Sequence, residues 1–298
     1  MDLICSTRTE VLAIMCPYKK FQKEGSVHLS SHYVKAASVV ILGLLVVTAV
    51  GNLTPEINNV EISLAGDMAA ESELKIALLS DLHIGADSQS VKDMAMLWQE
   101  VLQTSPDVIM LAGDYVNNGG GATDFSRHRE EVAAILGATD NIPVIAVLGN
   151  HEEWSEPHLW AKAFHNAGIQ VLENDVMELP QLFLCVRGFS DAFTGQFDYV
   201  DYPSACDGKI KVSLTHDPAG AFHSGVTGLV LAGHTHCGQL RLPFIGPVYV
   251  PSDAPAKAHC GLYSDDQRQV FVSSGIGTSV IPLRFLAQSQ WDFITITN

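Results

Sequence analysis

The sequence predicts a mixed α/β domain that follows a single membrane-spanning helix. From about residue 74 onward, short apolar runs alternate with helical patterns, as in α/β folds with buried strands. Ahead of that domain, residues 36–55 form a stretch of 20 residues without a formal charge, close to the roughly 20 that a helix needs to cross a bilayer. The composition is globular, with 47% hydrophobic residues among 298, which excludes collagen-like and low-complexity classes.

The N-terminal segment is basic, whereas the remainder is strongly acidic. Residues 1–35 contain five basic and three acidic side chains, and the rest carries a formal net charge of -18. The positive-inside rule therefore predicts a cytoplasmic tail at 1–35, a signal-anchor helix at 36–55 and a linker at 56–73. The large domain, 74–298, is then expected on the outer, periplasmic side of the inner membrane. Two alternatives stay open for the apolar run: a cleaved signal peptide, because 49–51 has the spacing of a cleavage site, or a buried core helix.

The acidic charge also restricts the partners of the chain. A protein that binds nucleic acid through counterion release needs a basic face. A chain with 17 basic and 33 acidic residues has few cations from which to build one. DNA and RNA are therefore not expected as partners.

Five apolar runs of the domain read as buried strands, and three segments between them read as helices. The strands are predicted at 74–80, 107–113, 143–149, 209–215 and 228–233, and the helices at 90–104, 124–136 and 156–167. Two stretches without a clear period, 188–207 and 241–263, are predicted as long loops near a functional site. The Gly-rich segment 275–279 lacks the Lys of a P-loop and predicts a tight turn.

Polar side chains follow each of the five predicted strands. Ligand sites in α/β sheets gather at the carboxyl ends of strands, so these side chains are expected to meet. Each short motif alone is weak, but the whole ordered series is hard to obtain by chance. The seven side chains are Asp81, His83, Asp114, Asn150, His216, His234 and His236.

The cysteines give no metal-binding pattern. The chain has six, without a C-x-x-C pair, and four of them lie in the acidic domain: Cys185, Cys206, Cys237 and Cys260. An exported domain could oxidise some of these thiols, but the sequence does not give the pairing. Free, buried thiols are the default expectation.

The series D-x-H, G-D, G-N-H-E, H and G-H-x-H resembles the calcineurin-like metallophosphoesterases, from about residue 74 to the C-terminus. The segment 233–243 (GHTHCGQLRLP) is similar to the branch with an N-terminal membrane anchor. The resemblance implies a four-layer α/β/β/α sandwich with two divalent metal ions between the sheets. It assigns Asp81, His83 and His236 to one ion, Asn150, His216 and His234 to the other, and Asp114 to both.

The residue types suit that chemistry. A mixed set of imidazole, carboxylate and amide donors favours Mn, Fe or Zn. Two such ions activate water and clamp the entering and leaving oxygens of a phosphoryl displacement. They also offset the negative field of the domain where a phosphate must bind. His151, by resemblance, is not a ligand but faces the leaving group as acid or transition-state donor.

The chain departs from the related Ser/Thr protein phosphatases at one block. Those read G-D-x-V-D-R-G, whereas residues 113–119 read GDYVNNG and place Asn117 and Asn118 at the Asp and Arg positions. The change removes the negative charge that would raise the pKa of His151 and the cation that would bind a phosphomonoester dianion. A phosphodiester or pyrophosphate, either small or lipid-linked, is therefore the expected substrate.

Several residues near the motifs have open roles. By resemblance, Arg241 and Arg284 lie near the site. Each is expected either to contact a phosphate group or to form an ordinary surface ion pair. Cys237 replaces a Gly that is usual in the anchored branch. It is expected to pack, with a redox-sensitive thiol or a disulfide to Cys260 as alternatives.

The favoured function is a membrane-anchored, binuclear-metal phosphodiesterase. The alternative within enzymes is a pyrophosphatase of the UDP-2,3-diacylglucosamine type in lipid A synthesis. A non-catalytic metal-binding scaffold is the alternative from another class. The oligomeric state is not predicted.

Overall fold

The computed structural model describes residues 33, 35, 36, 38–43, 46, 54–64, 73–85, 88–117 and 126–297. The chain divides into two compact units, Met1–Gly43 and Leu44–Asn298. In the first unit the described residues are helical and exposed. No helix within the described residues combines the length and the apolar character needed to span a bilayer. Most of the predicted tail and half of the predicted span at 36–55 lie outside the described residues, so both stay predictions.

Two six-stranded sheets form the frame of the second unit. Sheet 1 has the order β1-β14-β2-β3-β4-β5, and sheet 2 has the order β12-β13-β9-β8-β7-β6. A short hairpin, β10-β11, stands apart from both. The strands are β1 (Glu56–Ser63), β2 (Leu74–Leu79), β3 (Val108–Leu111), β4 (Val144–Ala146), β5 (Gln170–Val171), β6 (Asp175–Leu179), β7 (Leu184–Gly188), β8 (Ile210–Leu214), β9 (Gly228–Ala232), β10 (Arg241–Leu242), β11 (Gly246–Pro247), β12 (Gly261–Ser264), β13 (Arg268–Val272) and β14 (Gln290–Thr297).

The centre of each sheet is parallel and buried on both faces. In sheet 1, β2, β3 and β4 pair in parallel, and in sheet 2 so do β7, β8 and β9. Strands that are covered on both sides read as continuous apolar runs rather than alternating ones. This explains why all five predicted strands are confirmed, to within three residues at each end.

Four α-helices are described in the second unit, all between the strands of sheet 1. They are α1 (Ser88–Gln103), α2 (Ser126–Leu136), α3 (Asn150–Glu153) and α4 (Pro157–Asn166). Three of them, α1, α2 and α4, confirm the predicted helices. The helix α4 begins with Pro157, whose missing N–H costs nothing in a first turn.

Two apolar cores separate the layers. One lies between the sheets and joins β2 and β3 residues such as Ile76 and Met110 to sheet 2 residues such as Val212 and Leu231. The other lies between sheet 1 and the helices, around the buried ring of Trp160. Together the two cores hold the α/β/β layers of the predicted sandwich.

The outermost predicted layer differs from the expectation. In the described part of the chain, the outer face of sheet 2 is covered by the loop 189–203 and the short 3-10 helix Pro218–Phe222 rather than by α-helices. A small apolar cluster around Phe189, Ala221 and Val270 fills this interface.

Two predicted segments contain strands that the sequence did not indicate, and a third is confirmed as a loop over most of its length. The predicted linker contains β1, which pairs in parallel with β14 along its whole length. Its side chains are largely exposed, so the local pattern gives no buried-strand signal. The predicted loop 241–263 contains the hairpin β10-β11, the 3-10 helix Ala256–Ala258 and most of β12. The other predicted loop, 188–207, is free of strands and α-helices from 189 to 203.

Candidate metal centre

The seven predicted donors converge at the carboxyl ends of the strands, where the two sheets meet. Sheet 1 supplies four of them from the loops after β2, β3 and β4, and sheet 2 supplies three from the loops after β8 and β9. All seven are buried. This convergence follows from topology, because parallel strands deliver their following loops to one edge of a sheet.

The first cluster consists of Asp81, His83 and His236, whose ligand atoms lie within 4.8 Å of one another. The Nε2 atoms of His83 and His236 are 3.1 Å apart. Asp81 Oδ1 lies 3.5 Å from Nε2 of His236. The three donors therefore face one small volume.

The second cluster consists of Asp114, His216 and His234, again within 4.8 Å. His216 Nε2 lies 3.1 Å from His234 Nδ1 and 3.1 Å from Asn150 Oδ1. Asn150 thus adds a neutral oxygen to the two imidazoles and the carboxylate.

Asp114 connects the two clusters. Its Oδ2 atom lies 3.3 Å from His216 Nε2 and 3.7 Å from His83 Nε2. His151 Nε2 is also 3.9 Å from this oxygen, and the backbone N–H of His151 donates to Asp114 Oδ1 at 2.9 Å. One carboxylate therefore faces both groups of donors and the predicted catalytic histidine.

The donor set fits divalent metal ions. Asp81 Oδ1 is a buried carboxylate oxygen that accepts no hydrogen bond from the described residues, an expensive arrangement unless a cation binds there. In two histidines, one ring nitrogen, here called the outer nitrogen, lies at hydrogen-bond distance from a backbone carbonyl oxygen. His216 Nδ1 is 2.6 Å from Ala112 O, and His234 Nε2 is 2.6 Å from Pro251 O. Such bonds fix the tautomer that leaves the inner nitrogen as a metal ligand.

The backbone around the donors is strained. Five donors, Asp81, His83, Asp114, His234 and His236, have φ between 44° and 67°, where non-glycine residues are uncommon. Left-handed conformations in non-glycine residues cluster at functional sites. The surrounding packing thus holds these residues in place at a local cost in conformational free energy.

Close approach of the loops requires glycine at two positions. A Cβ atom on Gly113 would lie 2.7 Å from Gly149 N and 2.7 Å from His216 Nδ1. A Cβ atom on Gly233 would lie 1.6 Å from Ser80 Oγ. The glycines of the G-D and G-H-x-H motifs therefore allow the two sheets to bring their loops into contact.

Burial controls the protonation of the first cluster. It raises the pKa of Asp81 to about 6 and lowers the pKa of His83 to about 3. It also lowers the pKa of His236 well below its usual range, with His83 and Arg284 adding to the effect. Neutral imidazoles are the form that binds a metal ion.

Charge pairing controls the second cluster. Although burial opposes both shifts, Asp114 and His216 stabilise each other's charged form. The pKa of Asp114 is held well below its usual range and that of His216 is raised well above it. A positive charge beside Asp114, from a proton or a metal ion, is therefore favoured.

Sequence reasoning missed Glu152 as a functional residue. It is fully buried, and its carboxylate accepts the backbone N–H groups of Asp114 at 2.9 Å, Tyr115 at 2.9 Å and Gly149 at 3.0 Å. These bonds tie the loop after β3 to the loop after β4. The only signal was its place in the G-N-H-E motif, which gives no sign of its partners.

The turn at 275–279 supports the first cluster from behind. Ile276 N donates to Ser80 O and Gly277 N to Asp81 O. Gly275 has φ +72°, and a Cβ atom there would lie 2.7 Å from Asp81 Cβ. The predicted tight turn thus positions the Asp81 loop.

The two predicted substrate-binding arginines lie in different surroundings. Arg284 is fully buried, and its guanidinium donates to the carbonyls of Ser274, Gly275 and Gly277. Its Nη2 atom also lies 2.9 Å from His236 Nδ1. These contacts favour a role in positioning His236 over the predicted contact with phosphate.

Arg241 is less buried than Arg284. It is half-buried, and its Nη1 atom donates to Cys237 O at 2.9 Å. Its contact with a phosphate group stays a prediction.

The expectation of free thiols in the domain is wrong. Cys185 pairs with Cys206, and Cys237 pairs with Cys260. For Cys237 this is the disulfide alternative rather than simple packing. The second bond connects the turn that carries His236 to the segment just before β12. Sequence could not give these pairs because they are 21 and 23 residues apart and depend on the fold.

Comparison with known proteins agrees with the geometry. Residues 74–238, more than half of the chain, match the calcineurin-like phosphoesterase family. The uncharacterized metallophosphoesterase YkuE of Bacillus subtilis is 27% identical over 233 residues, 75% of this chain and 79% of the relative. The phosphodiesterase YaeI of Escherichia coli is 28% identical over 215 residues, 68% and 75% of the two chains. A Danio rerio protein named "transmembrane protein with metallophosphoesterase domain" is 25% identical over 274 residues, 85% of this chain and 60% of the relative.

The clustered Asp and His donors and the matched relatives identify a metal-dependent phosphoesterase, a hydrolase. The match covers every predicted donor from the loop after β2 to the turn that carries His236. On this evidence the chain belongs to the calcineurin-like phosphoesterase family.

Proposed function

We propose that the chain is a membrane-anchored phosphodiesterase that works with two divalent metal ions on a small or lipid-linked phosphodiester. The observation that carries the proposal is the position of Asp114 between the two donor clusters, within 3.7 Å of both His83 and His216. A single carboxylate in this position is what two ions sharing a ligand require. When bound, such a pair lowers the pKa of water and neutralises charge on a phosphoryl group.

The ligands are proposed as the resemblance assigns them. Asp81, His83 and His236 would hold one ion, and Asn150, His216 and His234 the other, with Asp114 shared. The orphaned oxygen of Asp81 and the carbonyl-held outer nitrogens of His216 and His234 support these roles. Mn, Fe or Zn suits this mixture of donors.

His151 is proposed to act on the leaving group. Its ring packs against His83 with centroids 4.7 Å apart, and its backbone is held by Asp114. Burial lowers its pKa, while Asp114 opposes that shift. A histidine with a lowered pKa is a stronger acid when protonated, which suits donation to a departing oxygen.

The preference for a diester rests on the charge of the pocket. Asn117 stands where the related protein phosphatases have Asp, and Asn118, outside the described residues, stands where they have Arg. The guanidinium of Arg284 is already bound by carbonyls. With less positive charge available from arginine, a monoanionic diester fits better than a dianionic monoester.

A periplasmic location of the domain is part of the proposal. Two features support it: the basic residues 1–35 before the apolar run, and the two disulfides, which persist in oxidising compartments. The name of the Danio rerio relative is consistent with a membrane protein.

The test of the activity uses the full chain in detergent, loaded in turn with Mn, Fe and Zn. Bis-p-nitrophenyl phosphate and p-nitrophenyl phosphate are compared as substrates at the same concentration. We expect faster hydrolysis of the diester and loss of turnover with retained metal in His151→Ala. Faster hydrolysis of the monoester would overturn the substrate class, and full turnover in His151→Ala would overturn the role of that residue.

The test of location is a topology reporter fused after Asn298. Activity of a periplasmic reporter is expected. A cytoplasmic result would overturn the location and favour the pyrophosphatase alternative, because nucleotide-linked substrates are made in the cytoplasm.

A further inference from the structure

Two neighbouring loops beside the metal centre carry exposed apolar side chains. The first is the hairpin segment 240–249, and the second is the loop 279–286; together we call them the apolar rim. Its most exposed apolar residues are Phe244, Ile245, Val248, Tyr249, Val280 and Leu286. Contiguous exposed apolar surface on a folded domain marks an interaction site.

The two loops form one surface. The side chain of Gln239 donates to the carbonyls of Ser279 and Ile281 and accepts the N–H of Ser279. Arg241 N donates to Phe285 O, and Phe285 N donates to Gln239 O. These five bonds fix the hairpin and the loop side by side.

The rim is attached directly to the metal centre. The hairpin follows His236 by a few residues. Arg284, within the second loop, lies 2.9 Å from His236 Nδ1. Whatever binds the rim is therefore held next to the first cluster of donors.

The two tips are exposed at a conformational cost. Phe244 is 109% exposed with φ +66°, and Val280 is 97% exposed with φ +65°. The left-handed region favours Gly or Asn, and a β-branched residue there is an outlier. Neither side chain is buried, so packing within the domain does not compensate for the strain. Both residues suit an external apolar partner.

The charge around the rim favours a lipid surface. The chain has 33 acidic residues, yet none lies in 218–252 or 267–291, the two stretches that contain the rim. The formal charges in those stretches are Arg241, which is half-buried, Arg268, which pairs with Asp265, and Arg284, which is fully buried. Anionic headgroups would thus meet no carboxylate from the segments that carry the rim, in a domain that is otherwise strongly acidic.

We propose that the apolar rim inserts into the interface of a lipid bilayer and holds the metal centre at the lipid–water boundary. Projecting tips of Phe, Ile and Val beside the half-buried Arg241, in segments without carboxylates, are features of interfacial membrane binding. The uncharged run at 36–55, predicted to span the membrane, would keep the domain close to the same bilayer. The inference goes beyond the proposed function, because insertion does not depend on which phosphoester is cleaved.

The experiment places a fluorescent reporter at the rim. Phe244→Trp in the full chain is reconstituted into vesicles of phosphatidylethanolamine and phosphatidylglycerol, with or without brominated acyl chains, which quench tryptophan at depth. Phe183→Trp is the matched control, since Phe183 is 54% exposed just before β7, at the opposite end of the parallel strands from the metal centre. The unsubstituted protein gives the background from Trp154, which is exposed.

We expect the Phe244→Trp emission to shift to the blue and to lose most of its intensity in brominated vesicles, whereas Phe183→Trp keeps its intensity. Equal quenching of the two variants, or none, would overturn the proposal. A blue shift that is the same in brominated and unbrominated vesicles and that increases with protein concentration would also overturn the proposal, because it would show that a second copy of the chain covers the rim.

Hydrolysis of bis-p-nitrophenyl phosphate by the same samples separates this inference from the proposed function. Phe244 lies outside the donor set, so turnover is expected to be unchanged in Phe244→Trp. Turnover without quenching would overturn membrane insertion alone. Quenching without turnover of the diester would support insertion and overturn the proposed substrate class.

Discussion

The two sheets contribute almost equally to the metal centre but are stabilised by different means. Sheet 1, which delivers Asp81 and Asp114, has its outer face covered by α-helices over a large apolar core. Sheet 2, which delivers His216 and His236, has a small outer cluster covered by a loop and a 3-10 helix. Both disulfides lie on the sheet 2 side.

The difference shows how one site can be built on two unlike supports. Where helices bury a large apolar area, the hydrophobic effect fixes the loops that follow the strands. Where the cover is short, covalent bonds and buried polar networks replace part of that burial. Arg187 is an example: it is buried, donates to Ser213 and Val200, and lies over the ring of Tyr202.

The largest effect is expected at Asp114, the carboxylate that lies between the two donor clusters. Asp114→Asn removes the charge that faces both donor clusters, so we expect loss of activity toward the diester by more than about a hundredfold, beyond what an outer-shell change costs. Metal content, measured by elemental analysis, should fall as well. Asp140→Asn, at an exposed carboxylate, is the control and should behave as the parent protein. Full activity in Asp114→Asn would show that the two halves work separately.

Removing a disulfide tests whether sheet 2 depends on covalent support. Cys185→Ser with Cys206→Ser opens a link across 21 residues, and we expect the free energy of unfolding to fall by about 3 kcal/mol. Hydrogen exchange should rise in β6, β7 and β8 while β2, β3 and β4 keep their protection. A uniform rise in hydrogen exchange over both sheets would contradict the idea that this disulfide stabilises mainly sheet 2. Addition of reductant to the variant controls for the remaining disulfide.

A buried carboxyl in sheet 1 makes stability depend on pH. Burial raises the pKa of Asp292, in β14, to about 6, against hydrogen bonds from Asn58 and Gln290. Between about pH 4 and pH 6, the folded state therefore keeps a proton on Asp292 that the unfolded state has released. The resulting contribution to the free energy of unfolding is fully present below about pH 4 and is lost as the pH rises to about 6.

Asp292→Asn should abolish that dependence. We expect it to stabilise the protein at pH 7, relative to the parent, by on the order of 2 kcal/mol, with the difference vanishing near pH 4. Urea unfolding at a series of pH values measures this difference. A gain in the free energy of unfolding that is the same at pH 4 and pH 7 would refute the assignment of this effect to proton binding by Asp292.

The smallest effect is expected from the residue that ties two sheet 1 loops together. Glu152→Gln replaces one of the oxygens that accept the N–H groups of Asp114, Tyr115 and Gly149. We expect about a tenfold loss of metal affinity or activity, at the low end for outer-shell changes, and an unchanged fold by circular dichroism. Glu153→Gln, one position along, is the matched control. Equal effects of the two variants would show that Glu152 has no specific role in positioning the donors.

The part of the fold that could be predicted is the part whose signals are local. The central strands read as apolar runs because both faces are buried, and their following loops carry the donors. Strands at the edges, such as β1 and β12, expose much of their surface and give no such pattern. The pairing of β1 with β14 joins residues as distant as Glu56 and Gln290, which no window along the chain can detect.

By itself the sequence determined the α/β alternation, the order of the seven donors and the His beside them, because each depends on residues within a few positions of a strand end. Only the tertiary structure decided which cysteines pair, that Glu152 and Arg284 support the donors, and how the outer face of sheet 2 is covered. Those features are contacts between segments far apart in the chain, and their energy exists only once the two sheets have packed together.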